Sequence, residues 1–269
     1  MTLSLKRRLV GTRIGRTAMY IRNLVELMRT PRVSLGTVVN DQLAGTLLAR
    51  LCREGETFVD VGAHIGSVIA EVKFRCPKAR IIAFEAIPEK AEELTRKFPD
   101  VAVHSCALSE DEGETTFYID LEESGYSSLA SRQGRSREII VKKKRLDTVL
   151  AVADVHLIKI DVEGAELGVL RGAAKLIDRC QPIIMFESGP GDVLGYTKTQ
   201  MFEWFADHDY GLLAPNRVAH TGGPMTLDGF LDSHEYPRRT TNYFAIPMPR
   251  FQEIRLRAQA LSHNGGGGF

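Results

Sequence analysis

The sequence predicts a doubly wound α/β fold, in which a mostly parallel seven-stranded sheet is covered by helices on both faces. From residue 57 onward, short apolar runs alternate with helical segments, as in sheets whose parallel strands are joined by helices. The first of these runs, Thr57–Val61 (TFVDV), leads into a turn that contains two glycines. The 269 residues, of which 43% are hydrophobic, are sufficient for one large domain with a packed core.

The elements of this domain can be assigned in chain order from apolar runs and from the residues that bound them. Seven strands are predicted, at Thr57–Val61, Arg80–Phe84, Val101–Cys106, Val155–Ile160, Pro182–Phe186, Tyr210–Ala214 and Asn242–Ile246. Helices are predicted between them, at about Ser67–Phe74, Pro88–Phe98, Ala165–Asp178 and Thr199–His208. Proline at the first turn of the second helix, followed by Glu89, is typical of a helix start.

The alternation is interrupted between residues 107 and 154. Glu114–Ile119 and Glu138–Lys142 are predicted to be antiparallel strands, with a polar Ser/Gly/Arg-rich segment, Glu122–Arg137, between them. We expect that segment to be a mobile loop. It either closes over a ligand and excludes water or is a plain surface excursion.

Both ends of the chain differ in composition from this domain. Residues 1–32 hold eight Lys/Arg and one acid, with apolar residues at helical spacing, so residues 1–56 are predicted to form a basic helical extension before a domain at 57–250. The extension either packs on the domain or makes peripheral contact with an anionic membrane. Residues 251–269 are predicted to be a helix and a disordered glycine-rich tail.

Two features of the first strands predict a nucleoside site. Asp60-Val-Gly62-Ala63-His64-Ile-Gly66 forms a turn at the carboxyl end of a parallel strand, where α/β sheets bind ligands. Glu85 ends the next strand, where a carboxylate can accept hydrogen bonds from both hydroxyls of a ribose. Together these features indicate a cofactor that contains adenosine.

The residues of the turn favour S-adenosylmethionine (SAM) over a dinucleotide. A pyrophosphate is bound by G-x-G-x-x-G, but His64 occupies the middle glycine position and Asp60 ends the strand. SAM has no phosphate, and its charged methionine end suits an acidic turn. Asp60 is therefore expected either to order that end through water or backbone amides or to cap the turn.

Several motifs together resemble the FkbM family of SAM-dependent methyltransferases. The residues are Phe58–Gly66 (FVDVGAHIG), Phe84–Pro88 (FEAIP), Ala107–Ser109 with Gly113, Leu146-Asp147, Ile158–Glu166 (IKIDVEGAE), Val169–Gly172 and Phe186-Glu187. The resemblance covers about residues 58–188. The family usually has Asn where this chain has His64.

The resemblance implies a class I methyltransferase fold, which is Rossmann-like, and methyl transfer to oxygen on sugar or polyketide hydroxyls. It also implies that Ala107 and Leu108 flank the adenine. The predicted cofactor-binding residues are Asp60, Gly62, Ala63, His64, Gly66, Glu85, Ala86, Ala107, Leu108 and Asp161. Ser124–Leu129 (SGYSSL) resembles a family stretch near the active site.

Acids at the ends of neighbouring strands are the candidate catalytic residues. Asp161 and Glu187 end the fourth and fifth strands and Glu163 follows Asp161, so all three should face the crevice. Asp161 is expected either to accept the proton of an acceptor hydroxyl or to orient SAM; His64 either acts as a base or holds the turn. Glu163 could instead cap the next helix, as could Glu166. We predict no metal, although three acids could alternatively hold Mg²⁺.

The sequence therefore predicts a SAM-dependent O-methyltransferase acting on a sugar, glycolipid or polyketide-type metabolite, in secondary metabolism. The alternatives are an NAD-dependent oxidoreductase and a non-catalytic SAM- or nucleoside-binding module that acts through a partner. No nucleic-acid partner is expected, because no basic stripe interleaved with aromatic residues follows the N-terminal segment. Without a long apolar run or paired cysteines, the chain is expected to be cytoplasmic.

Overall fold

The computed structural model describes residues 35–120, 127–128, 136–189, 196–235 and 237–263. Three predicted segments lie largely outside the described residues. They are the basic extension, the loop at Glu122–Arg137 with its Ser124–Leu129 stretch, and the glycine-rich tail. The domain boundaries proposed from the sequence stay a prediction.

The main sheet has seven strands, as the sequence predicts. In chain order they are β1 (Thr57–Val61), β2 (Arg80–Glu85), β3 (Ala102–Ser105), β8 (Leu157–Ile160), β9 (Ile183–Glu187), β10 (Tyr210–Leu213) and β11 (Asn242–Pro247). Their spatial order is β10-β11-β9-β8-β1-β2-β3. Strand β11 runs antiparallel to both of its neighbours, β10 and β9, and the remaining six strands all run in the same direction. The carboxyl ends of β1, β2, β8 and β9 therefore meet at one edge.

Nine α-helices are described within the resolved ranges. They are α1 (Leu35–Leu51), α2 (Ser67–Arg75), α3 (Pro88–Lys97), α4 (Leu146–Val149), α5 (Glu166–Arg171), α6 (Ala174–Cys180), α7 (Lys198–Asp207), α8 (Leu227–Asp232) and α9 (Phe251–His263). Two apolar clusters flank the sheet, one on each face. This arrangement confirms the doubly wound α/β fold.

A second, smaller sheet forms where the sequence predicts a break in the alternation. It consists of β4 (Ala107–Leu108), β5 (Gly113–Asp120), β6 (Ser127–Ser128) and β7 (Ser136–Lys144), in the order β4-β7-β5-β6. The long strands β5 and β7 pair antiparallel, as predicted. Because β4 follows β3 almost directly, this sheet lies beside the edge of the main sheet where β2 and β3 end.

Two predicted elements are wrong in extent. The third strand, predicted to reach Cys106, ends at Ser105, and after Cys106 the residues Ala107 and Leu108 pair with β7 in the second sheet. The single helix predicted at Ala165–Asp178 is two helices, α5 and α6. Asp147 accepts hydrogen bonds from the backbone N–H groups of Lys175 and Leu176, at 3.3 and 2.9 Å, and so caps a separate helix start.

Helix α1 packs in the same apolar cluster as α2, α9 and β11. Its Asp41 accepts hydrogen bonds from the backbone N–H groups of Thr241 and Asn242, at 2.9 and 3.2 Å, and from the Thr240 hydroxyl at 2.7 Å. These contacts fasten the helix to the start of β11. No helix among the described residues is long and apolar enough to cross a membrane.

Candidate active site

A cleft opens at the edge where β1, β2 and β8 end, with about 840 Å³ of space free of protein atoms, open solvent included. Its far wall comes from the second sheet. The lining residues are Val61, Gly62, His64, Phe84, Glu85, Ala86, Ile87, Lys90, Cys106, Ala107, Leu108, Phe117, Asp161, Val162, Glu163 and Ala165. The cleft therefore lies where ligands bind in α/β sheets.

The turn after β1 is held in a conformation that two of its residues can adopt only as glycine. Gly62 has φ +78°, and a Cβ atom there would lie 1.9 Å from the carbonyl oxygen of Asp161. Gly66 has φ +79°, and a Cβ atom there would lie 2.4 Å from the Phe98 ring. His64 has φ +50°, a region in which Asn and His are enriched, so it can replace the Asn usual in the family.

Glu85 holds the side of this turn that faces β2. Its buried carboxylate accepts one hydrogen bond from the His64 N–H at 2.8 Å and one from the Ile87 N–H at 3.0 Å. A carboxylate can accept about four hydrogen bonds, so each oxygen keeps capacity for another donor. Because Glu85 also lines the cleft, its carboxylate suits two ribose hydroxyls.

Lys159 lies beneath the turn, between two aspartates. Its ammonium nitrogen is 3.3 Å from an oxygen of Asp60 and 3.3 Å from an oxygen of Asp161, and it donates to the Gly62 carbonyl at 2.6 Å. The Lys159 side chain is 6% exposed and that of Asp60 is 1% exposed. The Asp60 carboxylate is turned toward Lys159 and does not line the cleft, so it could order the methionine end of SAM only through intervening groups, and that role stays a prediction.

Burial and pairing act in opposite directions on these three groups. Burial raises the pKa of Asp60, and Lys159 only partly offsets this. For Lys159, burial would lower the pKa, but the two carboxylates outweigh it and the pKa is raised. For Asp161, burial is outweighed by Lys159 and by a hydrogen bond from Glu187, so its pKa is lowered. The carboxylate of Asp161, which lines the cleft, is therefore ionised at neutral pH.

The three acids predicted as catalytic come together. Oxygens of Asp161, Glu163 and Glu187 all lie within 4.8 Å of one another. Burial, followed by the charge of Asp161, raises the pKa of Glu187 to about 10, so Glu187 holds a proton at neutral pH. Oxygen ligands at this spacing suit a hard divalent cation, so the magnesium alternative stays open beside the prediction of no metal.

Glu166 holds the turn that connects β8 to α5. One of its carboxylate oxygens accepts hydrogen bonds from the N–H groups of Val162 and Gly164, at 3.1 and 3.0 Å. Glu163 lies between them with φ +54°, a conformation that costs a residue other than glycine about 1–3 kcal/mol. Catalysis and capping were the two roles considered for Glu166, and its contacts to the backbone N–H groups support capping. Glu163, in contrast, lines the cleft.

The structure brings most of the predicted site residues to one cleft. Those that line it are Gly62, His64, Glu85, Ala86, Ala107, Leu108, Asp161 and Glu163. Ala63 and Gly66 belong to the turn but do not line the cleft, and Glu187 borders it through Asp161 and Glu163. The assignments of these residues to cofactor binding and catalysis stay predictions.

Other lining residues were missed by sequence reasoning. Ile87 and Lys90 come from the start of α3, Cys106 from the bend between β3 and β4, and Phe117 from β5. Ile87 directly follows Glu85-Ala86, so its place at the cleft could have been predicted from its position next to them in the sequence. Phe117 had no such signal, because the second sheet brings it to the cleft only through tertiary pairing.

Curated proteins of known sequence match part of this chain. Methyltransferase 1 from Beauveria bassiana (strain ARSEF 2860) is 29% identical over 141 residues, which cover 42% of this chain and 57% of that protein. Methyltransferase sdnD from Sordaria araneosa is 30% identical over 152 residues, which cover 42% of this chain and 59% of that protein. The chain spans little more than half the length of these curated relatives.

A crystal structure of Methyltransferase FkbM from Methylobacillus flagellatus KT superposes with a TM-score of 0.46 at 17% identity, covering 72% of this chain and 44% of that one. Residues 60–212, more than half of the chain, match the sequence profile described as the Methyltransferase FkbM domain. All residues that line the cleft, from Val61 to Ala165, lie inside this match, and so does Glu187. The chain therefore belongs to the FkbM methyltransferase family.

Proposed function

We propose that the chain catalyses methyl transfer from SAM to a hydroxyl oxygen of a sugar, glycolipid or polyketide-type metabolite. The observation that supports this best is the juxtaposition of two groups in one cleft. Glu85 lies at the end of β2 with free acceptor capacity, and the ionised Asp161 lies at the end of β8. Family membership supports the same reaction type.

The residues at the β1 and β2 end suit the nucleoside part of SAM. Glu85 would accept the ribose hydroxyls, and Phe84, Leu108 and Phe117 would provide an apolar wall for the base. When bound, SAM supplies a methyl group already activated on its sulfonium sulfur. The remaining work of the protein is then to align an acceptor oxygen and to receive its proton.

Asp161 is the residue proposed to receive that proton. It is ionised because Lys159 pairs with it, and 39% of its side chain is exposed toward the cleft. Glu187 is a weaker candidate, because it already holds a proton at neutral pH. Glu187 instead donates a hydrogen bond to Asp161, which keeps the Asp161 carboxylate in place. The alternative role of Asp161, orienting SAM by its charge, leads to a different experimental outcome below.

No observation favours the two alternative functions. A dinucleotide would require contacts to a pyrophosphate, whereas the turn carries His64 and lies above the buried Asp60. A binding module without catalysis would bind SAM but would transfer no methyl group to any hydroxylated acceptor. The expected cytoplasmic location and the expected membrane contact of residues 1–32 stay predictions, because the contacts in this cleft bear on neither.

We expect the chain to bind S-adenosylhomocysteine with micromolar affinity, about −8 kcal/mol, because the cleft offers both a ribose acceptor and an apolar wall. Isothermal titration calorimetry with S-adenosylhomocysteine and with NAD measures this directly. Methyl transfer is then assayed with methyl-labelled SAM and a panel of hydroxylated acceptors. Tighter binding of NAD than of S-adenosylhomocysteine would contradict the proposal.

Glu85→Ala should weaken binding of S-adenosylhomocysteine by about 1–3 kcal/mol, because two ribose hydroxyls lose a charged acceptor and the turn loses two contacts. Glu89→Ala is the matched control, since Glu89 lies four residues further along the chain, in the first turn of α3, is exposed and pairs with Arg137. Calorimetry on both variants, with thermal unfolding to confirm that they fold, gives the result. Equal affinities for the two variants would show that the ribose is bound by residues other than Glu85.

Asp161→Asn should lower kcat by about 10²–10⁴ with the affinity for S-adenosylhomocysteine nearly unchanged, because the side chain keeps its shape and loses its basicity. Steady-state kinetics between pH 7 and 9 separates the two roles. A lost base is partly replaced by hydroxide as the pH rises, whereas a lost contact to SAM is not. Full turnover and full affinity would show that Asp161 is only a structural strand-end residue.

Glu187→Gln should change how stability depends on pH. The pKa of Glu187 is raised from 4.5 to about 10 in the folded chain, so its stabilising contribution is complete below about pH 4.5 and is lost as the pH rises toward 10. Glutamine stays neutral throughout, so the free energy of unfolding of the variant relative to the wild type should rise by about 4 kcal/mol between pH 6 and pH 9.

Urea unfolding at the two pH values measures this difference. Glu138→Gln, on the exposed surface of β7, is the control and should keep the pH dependence of the wild type. The same dependence in Glu187→Gln would mean that Glu187 is ionised at neutral pH and competes with Asp161 as a base.

A further inference from the structure

Tyr196 contacts the turn between β8 and α5 from a different part of the chain. Its hydroxyl donates a hydrogen bond at 2.5 Å to the Glu166 carboxylate oxygen that the turn does not use. The other oxygen of Glu166 accepts the N–H groups of Val162 and Gly164. Glu166, which is 2% exposed, therefore joins the Tyr196 hydroxyl to the backbone of the cleft-lining turn.

The turn needs such a restraint for two reasons. Glu163 and Gly164 are consecutive residues with positive φ, at +54° and +99°, and the first of these conformations is unfavourable for a glutamate. The same turn also holds the carboxylates of Asp161 and Glu163 close to each other and to Glu187. Strain and repulsion between like charges would both favour movement of Glu163 away from the cleft.

Tyr196 is itself held in place by the start of α7. Thr197, the next residue, is the N-cap of that helix, and its hydroxyl accepts a hydrogen bond from the Gln200 N–H at 3.2 Å. The Gln200 side chain in turn accepts the Thr197 N–H at 2.8 Å. This reciprocal cap fixes the backbone beside Tyr196, and its ring packs against the apolar cluster on that face of the sheet.

We infer that Tyr196 is a positioning residue, whose hydroxyl acts through Glu166 to hold the acidic edge of the cleft, Asp161 and Glu163, against the sulfonium side of a bound SAM. The inference rests on the proposed function and adds to it a residue that does not line the cleft. It also assigns a purpose to the buried Glu166 carboxylate, which is otherwise costly to place in the interior.

The two ligands SAM and S-adenosylhomocysteine report on this arrangement without any acceptor. They differ by a methyl group and a positive charge on sulfur, so carboxylates held near the sulfur favour SAM in the ratio of the two affinities. Movement of the Asp161 and Glu163 carboxylates should lower that ratio. The proposed contacts to the ribose at Glu85 and to the base at Leu108 and Phe117 should be unaffected, because these residues lie on β2 and in the second sheet rather than on this turn.

The variant Tyr196→Phe removes only the hydroxyl, and Tyr210→Phe is the matched control. The Tyr210 hydroxyl is also buried, but it donates to the Pro182 carbonyl at 3.0 Å, at the opposite end of β9 from the cleft. Calorimetry gives the affinities for SAM and S-adenosylhomocysteine in both variants. Amide hydrogen exchange reports the opening of residues 161–165.

In Tyr196→Phe we expect the affinity for S-adenosylhomocysteine to stay within about threefold of the wild type and the ratio favouring SAM to fall at least fivefold. The amides of Val162 and Gly164 should exchange at least tenfold faster. Tyr210→Phe should change neither quantity. An unchanged ratio or unchanged exchange in Tyr196→Phe would overturn the inference, as would equal losses for both ligands. Failure of the wild type to bind either ligand would instead contradict the proposed function.

Discussion

The site depends on one buried cation, Lys159, placed between the ends of two adjacent parallel strands. Its ammonium group forms ion pairs with Asp60 on β1 and with Asp161 just after β8, and it donates a hydrogen bond to the Gly62 carbonyl in the turn above. Within the described residues, no hydrogen bond reaches either oxygen of the Asp60 side chain, so Lys159 is the group that compensates this buried carboxylate. Loss of one partner from such a group is costly, because the remaining charge stays buried.

This pairing explains how one edge of the sheet provides two different environments. On the β1 and β2 side, backbone N–H groups hold Glu85 in a fixed position and leave it able to accept further donors. On the β8 and β9 side, the ammonium of Lys159 keeps Asp161 ionised, whereas burial keeps a proton on Glu187. Neighbouring carboxylates with pKa values driven apart are typical of acid–base sites.

Sequence reasoning predicted the parts of the site that topology alone determines. Gly62, Glu85, Asp161 and Glu163 follow strand ends, and parallel strands bring their carboxyl ends to one edge, so these residues had to meet. Sequence reasoning failed where contacts join distant segments. The burial of Asp60 depends on Lys159, nearly 100 residues away, and the break between α5 and α6 depends on a cap from Asp147. Neither pairing has a local pattern in the sequence.

The cleft at the ends of β1, β2 and β8 is proposed to bind SAM, and a crystal structure of the chain soaked with S-adenosylhomocysteine would locate the ligand. We expect the ribose hydroxyls within hydrogen-bond distance of Glu85, the sulfur atom on the side of Asp161, and Lys159 still between Asp60 and Asp161. A nucleoside bound outside this cleft, or bound within it with its ribose away from Glu85, would show that the proposed site is wrong.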